Sequence, residues 1–212
     1  MMATTPPKPK FEENWYSDEQ LEALCAKARL VANLSGEVVE VGCWEGKSTI
    51  ALANACYPSV VNAVDTWEGN VDENPDHPNI QIARDRNVFD VFRQNVAAGT
   101  KGNVRPHRMH SSRFFAEYRQ PIKFCHIDAS HDYESVKRDI LGAREWLVPG
   151  GILCGDDFKS AGRHRADLGG GVERAVRELL PGFGARRNFW WWEMGRSNRM
   201  AAITQRLRDW FS

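Results

Sequence analysis

Three aspartates and a histidine fall close together in the second half of the chain: Asp128, His131 and the adjacent pair Asp156-Asp157. Asp128 follows the apolar run Ile122-Lys123-Phe124-Cys125-His126-Ile127, and the pair follows Ile152-Leu153-Cys154-Gly155. Each run reads as a buried strand. If the two strands are neighbours, three carboxylates converge at their carboxyl ends and repel one another. A hard divalent cation relieves that repulsion, and carboxylates with water are the ligands magnesium prefers. By themselves Asp156-Asp157 read as well as a helix cap or an arginine partner; Asp128 and His131 move the reading to a metal site. His126 alternates with Asp128 on one strand face and reads as a core histidine.

A second group of residues has the form of a ligand cradle. The run Val38-Val39-Glu40-Val41 reads as a strand that stops at Gly42, and Gly46 follows before Lys47-Ser48-Thr49-Ile50-Ala51-Leu52 begins a helix. Ser48 or Thr49 supplies a first-turn hydroxyl. A strand, a glycine turn and a helix N-terminus favour an anionic ligand through backbone amides and the helix dipole. The turn lacks the glycine spacing of a Walker loop and one glycine of the dinucleotide fingerprint. Downstream, Val60-Val61-Asn62-Ala63-Val64 reads as a strand ending at Asp65, where nucleoside-binding α/β folds hold a ribose diol. Trp67 would stack on an adenine or cover the site. The amides at Ser111 and Ser112, which open a short helix, fall at the same end of the sheet.

These residues need a scaffold of alternating strands and helices. Helical spacing covers residues 17–31, 84–98, 113–118, 134–146, 172–180 and 201–211. Ser17 reads as the cap of the first helix. Trp15 and Tyr16 lie just before it and read as a staple for the helix start, with a ligand role as the alternative. Val104-Arg105-Pro106-His107 reads as an edge strand, because proline cannot donate to a sheet. Residues 70–80, the turn 148–151 and the glycine-rich stretch around Arg163 to Gly171 read as loops, the first and last of them bordering the ligand end. Residues 183–185 and 189–194 read as an antiparallel hairpin, although the run Trp190-Trp191-Trp192 blurs the period. The pattern is α/β with a mostly parallel sheet.

Lys plus Arg and Asp plus Glu both number 28 in a chain of 212 residues, so the net charge is zero. That argues against a nucleic acid or membrane partner bound by bulk charge. No apolar run has the ~20 residues of a membrane span. Five scattered cysteines read as free buried thiols in a reducing cytoplasm, so the expected location is cytoplasmic. Eight tryptophans suggest some exposed rings and a homo-oligomer. Residues 1–13 read as a disordered tail and residues 14–212 as one domain.

Together these residues resemble the class I S-adenosylmethionine (SAM)-dependent methyltransferases. Within them, Ile127-Asp128-Ala129-Ser130-His131-Asp132-Tyr133-Glu134 and Pro149-Gly150-Gly151 followed by Asp156-Asp157 are similar to the metal-dependent sugar O-methyltransferases of the macrocin and mycinamicin type. The likeness spans roughly residues 15 to 180. It implies a Rossmann-like fold with a seven-stranded sheet, helices on both faces and a C-terminal antiparallel hairpin. It implies a SAM site built from Glu40, Gly42, Trp44, Gly46, Ser48, Asp65, Trp67, Ser111, Ser112 and Asp128. Mg2+ or another divalent ion would sit on Asp128, Asp156 and Asp157, with His131 as the base. The macrolide enzymes have a glutamate where Asp156 stands. Catechol O-methyltransferases share the outline but carry a lysine at the position of His131, so the histidine favours a carbohydrate or other vicinal-diol acceptor, a small molecule. The alternatives are a catechol-like or metal-free methyltransferase, or a non-catalytic SAM-binding protein. The absence of an Asn/Asp-Pro-Pro-aromatic motif speaks against a nucleic-acid methyltransferase.

Overall fold

The β-branched run before Gly42 forms strand β1 (Glu37–Val41) at the centre of a seven-stranded sheet. The structure is a computed structural model that describes residues 8–13, 15–69, 78–158 and 170–195. The other strands are β2 (Val61–Asp65), β3 (Val104–Arg108), β4 (Ile122–Ile127), β5 (Leu147–Gly155), β6 (Gly184–Arg186) and β7 (Phe189–Glu193). Their order is β3-β2-β1-β4-β5-β7-β6. The first five run parallel, whereas β7 is antiparallel to β5 and to β6. This is the Rossmann-like α/β architecture. Every residue of β4 is buried, as expected for a parallel strand covered on both faces.

The covering helices are α1 (Asp18–Leu30), α2 (Lys47–Cys56), α3 (Pro78–Asp85), α4 (Val88–Gly99), α5 (Ser111–Glu117), α6 (Tyr133–Trp146) and α7 (Gly171–Leu179). Alternate strand residues face opposite layers. Val38 and Phe124 pack with Leu24, Ala28 and Leu52 of α1 and α2. Val39 and Cys125 pack with Phe115, Ile140 and Val176 of α5, α6 and α7. Chain order turns back between β1 and β4, which places a crevice at their carboxyl ends.

Several expectations change. The helix expected over 84–98 is two helices, because Asn87 caps α4 by accepting from the Asp90 amide at 3.2 Å. Residues 78–80, expected in a loop, begin α3, with Pro78 at its first position, where a missing N–H costs nothing. The Pro149-Gly150-Gly151 turn is part of β5, held where the Gly150 amide donates to Met194 O at 2.7 Å and the Met194 amide to Gly151 O at 2.9 Å. Within residues 8–13, expected in a disordered tail, Lys10 exchanges bonds with the Asn95 side chain of α4 at 2.8 and 2.7 Å, and the Glu12 and Glu13 amides donate to Glu45 Oε2 at 2.7 and 3.3 Å. Trp15 is exposed, the other described tryptophans are buried or half-buried, and Trp210 lies outside the described residues. All five cysteines are buried free thiols. Among the described residues, no helix is long and apolar enough to cross a membrane. The helix expected over 201–211, residues 70–77, and Arg163, His164 and Arg165 lie outside the described residues.

Candidate active site

Gly42 ends β1 at φ 85° and lies hard against the chain leaving β4. A Cβ placed on it would come 2.0 Å from the Asp128 carbonyl oxygen. Only glycine permits this approach, which joins the cradle to the acidic loop. Gly46, at φ 89°, then caps α2 without a side-chain bond. Asp65 at the end of β2 organises the turn between them. Its Oδ2 accepts from the Cys43 and Trp44 amides at 2.7 and 2.9 Å, and its Oδ1 from the Trp67 amide at 2.6 Å. Two of the loop amides are therefore committed to Asp65 rather than left for a ligand. Burial raises the Asp65 carboxyl above its usual range, although the three amides pull the other way. The two bonds to Oδ2 use both of its lone pairs, so the remaining acceptor capacity of the carboxylate is on Oδ1.

A cavity of about 480 Å³ opens over this end of the sheet. Gly42, Trp44, Ser48, Asp65, Ser111 and Asp128 line it, as do His131, Asp156 and Asp157. Its size and its mixture of aromatic and polar walls suit a nucleoside cofactor and a small acceptor. Asp128, His131 and Asp157 come together, with one ligand atom of each within 4.8 Å of the others. His131 Nε2 is 2.8 Å from Asp157 Oδ2. Asp157 holds φ 60°, an unusual backbone for a non-glycine residue and one that aspartate tolerates better than most. Asp156 stands beside this group rather than in it. Its Oδ2 accepts from Gln20 Nε2 at 2.8 Å, and its Oδ1 is buried without a hydrogen-bond partner among the described residues.

Burial raises the Asp128 carboxyl to about 6, opposed by His126 and reinforced by the charges of Asp157 and Asp156. Burial, followed by Asp157, raises Asp156 as well. Carboxylates crowded in this way, with an unpartnered oxygen and an imidazole beside them, are the donor set a divalent cation takes.

Behind the acids runs a buried chain of polar groups. Thr49 Oγ1 donates to Glu40 Oε2. His126 Nδ1 is 3.3 Å from Glu40 Oε1, and its Nε2 is 3.4 Å from the Tyr16 hydroxyl. Tyr16 in turn donates to Asp128 Oδ2. The phenol has one proton, so giving it to Asp128 leaves its oxygen to accept from His126. Burial pushes the His126 ring down, but the bond and charge of Glu40, with Asp128 and Asp156, outweigh it and the ring ends above its ordinary value. His126 is thus a core histidine with partners on both sides.

Four residues expected to touch cofactor are not among those that line this cavity. Glu40 is fully buried in the chain just described. Gly46 backs onto Phe92. Ser112 is exposed, and its amide donates to His110 Nδ1 at 3.1 Å. Trp67 is 2% exposed and packs against Phe89 and Phe92, with ring centroids at 4.5 and 4.8 Å. Its indole N–H donates to Trp44 O at 2.8 Å, so the ring supports the cradle from beneath. Conversely, Tyr16 and Gln20 reach the acids. Gln20 stands three residues after the Ser17 cap, the spacing of a capping box, and that box forms, with Ser17 Oγ accepting from the Gln20 amide at 3.2 Å. The rim is tied down by Arg86, which pairs with Glu13 at 2.6 Å and Glu45 at 2.9 Å.

Residues 39–158 match the family model described as a methyltransferase domain. No curated protein matches the chain. Among solved structures, it is similar to cofactor-bound Rv0187 from MTB, at 21% identity and a TM-score of 0.64, over 85% of this chain and 81% of that one. It is similar to the O-methyltransferase TomG from Streptomyces achromogenes, involved in tomaymycin synthesis and solved in complex with SAM, at 20% identity and a TM-score of 0.61, over 85% and 82%. CalS11, a TDP-rhamnose 3'-O-methyltransferase of calicheamicin biosynthesis, aligns at 16% identity and a TM-score of 0.56, over 84% and 81%. At these identities the likeness shows a shared fold.

Proposed function

The chain belongs to the methyltransferase-domain family, and on that premise we propose that it moves the methyl group of SAM to a hydroxyl of a small molecule, with a divalent ion, Mg2+ or a similar cation, required. The acceptor is a sugar or another vicinal diol rather than a nucleic acid. The reading follows the resemblance to macrocin- and mycinamicin-type enzymes, and CalS11, described as acting on TDP-rhamnose, shares the fold. The observation that carries it is the meeting of Asp128, His131 and Asp157 in the same cavity as the Gly42 turn and Asp65.

In this mechanism SAM supplies an electrophilic methyl group, and a divalent ion supplies Lewis acidity that makes a bound hydroxyl more acidic. Asp128 and Asp157, with Asp156 alongside, would hold the ion. Asp65 would hold a ribose hydroxyl through the acceptor site left on Oδ1, and Ser48 and Ser111 the polar ends of the cofactor. Trp44 and Trp15, with ring centroids 5.4 Å apart, form an aromatic wall for a nucleoside or sugar face. Gly42 fixes the distance between the two halves of the site, which is what in-line displacement depends on. His131 accepts the proton of the attacking hydroxyl, and Asp157 orients its ring.

The 4.8 Å grouping favours a second reading, in which His131 is itself a ligand and Asp156 stays with Gln20. Metal affinity separates the two: His131→Ala weakens ion binding only if the imidazole is a ligand. The function is tested by transfer of a radiolabelled methyl group to a panel of diol-bearing acceptors, with Mg2+ and with EDTA. Transfer that ignores EDTA, or confinement of activity to catechols or to acceptors without a vicinal diol, contradicts the reading.

A further inference from the structure

We propose that Tyr16 and Gln20 are positioning residues that set the carboxylates of Asp128 and Asp156 for a cation; this rests on the metal-dependent reading above. Tyr16 lies just ahead of the Ser17 cap and Gln20 in the first turn of α1, and each donates one hydrogen bond to one acid. Tyr16 gives its proton to Asp128 Oδ2. Gln20 Nε2 donates to Asp156 Oδ2 at 2.8 Å. One oxygen of each carboxylate is thereby fixed, and the other is left to turn toward a ligand. For Asp156 that other oxygen, Oδ1, is the buried atom without a partner.

Both donors are held in turn. Tyr16 is 9% exposed, its hydroxyl has His126 behind it, and its carbonyl accepts from Lys47 Nζ at 2.5 Å. Lys47 is the first residue of α2, so the same contact ties Tyr16 to the cradle helix. Gln20 Oε1 accepts from the Ser17 amide at 3.0 Å and from Ser17 Oγ at 2.9 Å. The capping box that starts α1 therefore also aims the Gln20 amide group at Asp156. Hydrogen bonds of this kind orient ligating carboxylates, and their loss commonly costs 10- to 100-fold in metal affinity, by order of magnitude about that range. Tyr16 and Gln20 lie ahead of residues 39–158, the segment that matches the family and contains all three acids. The start of α1 thus brings to the site a part that the shared segment does not carry.

The test uses chelator-stripped full-length protein titrated with Mn2+, with free ion read by electron paramagnetic resonance. Wild type, Tyr16→Phe, Gln20→Met and Asp128→Asn are compared, and each is also measured for S-adenosylhomocysteine affinity and thermal midpoint. The expected result is a loss of Mn2+ affinity of about 10- to 100-fold in Tyr16→Phe and in Gln20→Met, with S-adenosylhomocysteine binding kept. Mn2+ affinities within about twofold of wild type in both variants overturn the positioning role, while a loss in Asp128→Asn alone still upholds the metal site. Loss in one variant assigns the role to that residue and overturns it for the other. A parallel fall in Mn2+ affinity, S-adenosylhomocysteine affinity and thermal midpoint marks a merely structural part and overturns the proposal. Wild-type protein that binds no Mn2+, or binding that survives Asp128→Asn, overturns the metal reading and the inference together.

Discussion

Replacing Gly42 with alanine should damage the site more than the fold. At φ 85° a residue with a Cβ carries the left-handed penalty, about 1–2 kcal/mol. The new methyl would also meet the Asp128 carbonyl oxygen at 2.0 Å and its carbonyl carbon at 2.5 Å, where ordinary contact begins at 3.4 Å. Backbone cannot rotate away as a side chain can, so the end of β1 and the loop after β4 must separate by more than an ångström. Forcing a group into packed surroundings costs about 1–3 kcal/mol, which with the backbone term makes a loss of about 2–5 kcal/mol. A domain of ordinary stability, about 5–15 kcal/mol, should still fold. The site should fare worse, because a displacement of about 1 Å in a reacting constellation is enough to cost on the order of 100-fold. Urea denaturation gives the stability change, and calorimetric titration with S-adenosylhomocysteine and with Mg2+ gives the two affinities. Both affinities should fall together, because one clash moves both halves. A Gly42→Ala protein as stable as wild type, with both affinities intact, would refute the argument that this contact joins cradle and acids.

Three further predictions concern single side chains. His131→Ala should lower turnover by about 10²–10⁴ while leaving S-adenosylhomocysteine affinity unchanged; near-normal steady-state turnover removes the imidazole from proton transfer. Trp67→Ala should cost about 3–5 kcal/mol in urea denaturation, as for other buried tryptophans, whereas a cofactor platform would lose affinity with stability intact. Burial, with Arg105 adding to it and Glu37 opposing, holds His107 below its ordinary value, and its Nε2 lies 2.9 Å from Asn62 Oδ1. The folded state therefore resists a proton that the unfolded chain accepts, so the His107 contribution is complete above the unfolded value of about 6.5 and is lost as pH falls. His107→Gln should flatten the decline in stability between about pH 7 and 5, and an unchanged slope in denaturation at several pH values contradicts this.

The parts of the structure written as local pattern were readable before any coordinates. Gly42, a β-branched run before it and hydroxyls after it identify the strand, turn and helix; Ile127-Asp128 and Gly155-Asp156 place acids at the ends of adjacent strands. The edge position of β3 follows from Pro106, and the capping of α1 from Ser17. What was missed depends on contacts between distant segments. An indole two residues after Asp65 has the same sequence whether it faces a ligand or packs on Phe89 and Phe92; the phenylalanines on α4 decide. Glu40 sits in a strand where any residue must face one layer or the other, and its burial is made possible by Thr49 and His126, nine and 86 residues away. Tyr16 reads as an apolar staple because its hydroxyl finds Asp128 only across 112 residues of chain. The break between α3 and α4 was within reach, since Asn87 is a good cap, but the apolar spacing around it ran on without interruption.

The most direct test of the metal-dependent account is an anomalous difference map from crystals grown with Mn2+ and S-adenosylhomocysteine. The account predicts one strong peak between the Asp128 and Asp157 carboxylates, beside His131 and Asp156, with the nucleoside over the Gly42 turn and its ribose on Asp65. A nucleoside bound there with no ion at the acids, or an ion held elsewhere on the chain, would contradict it.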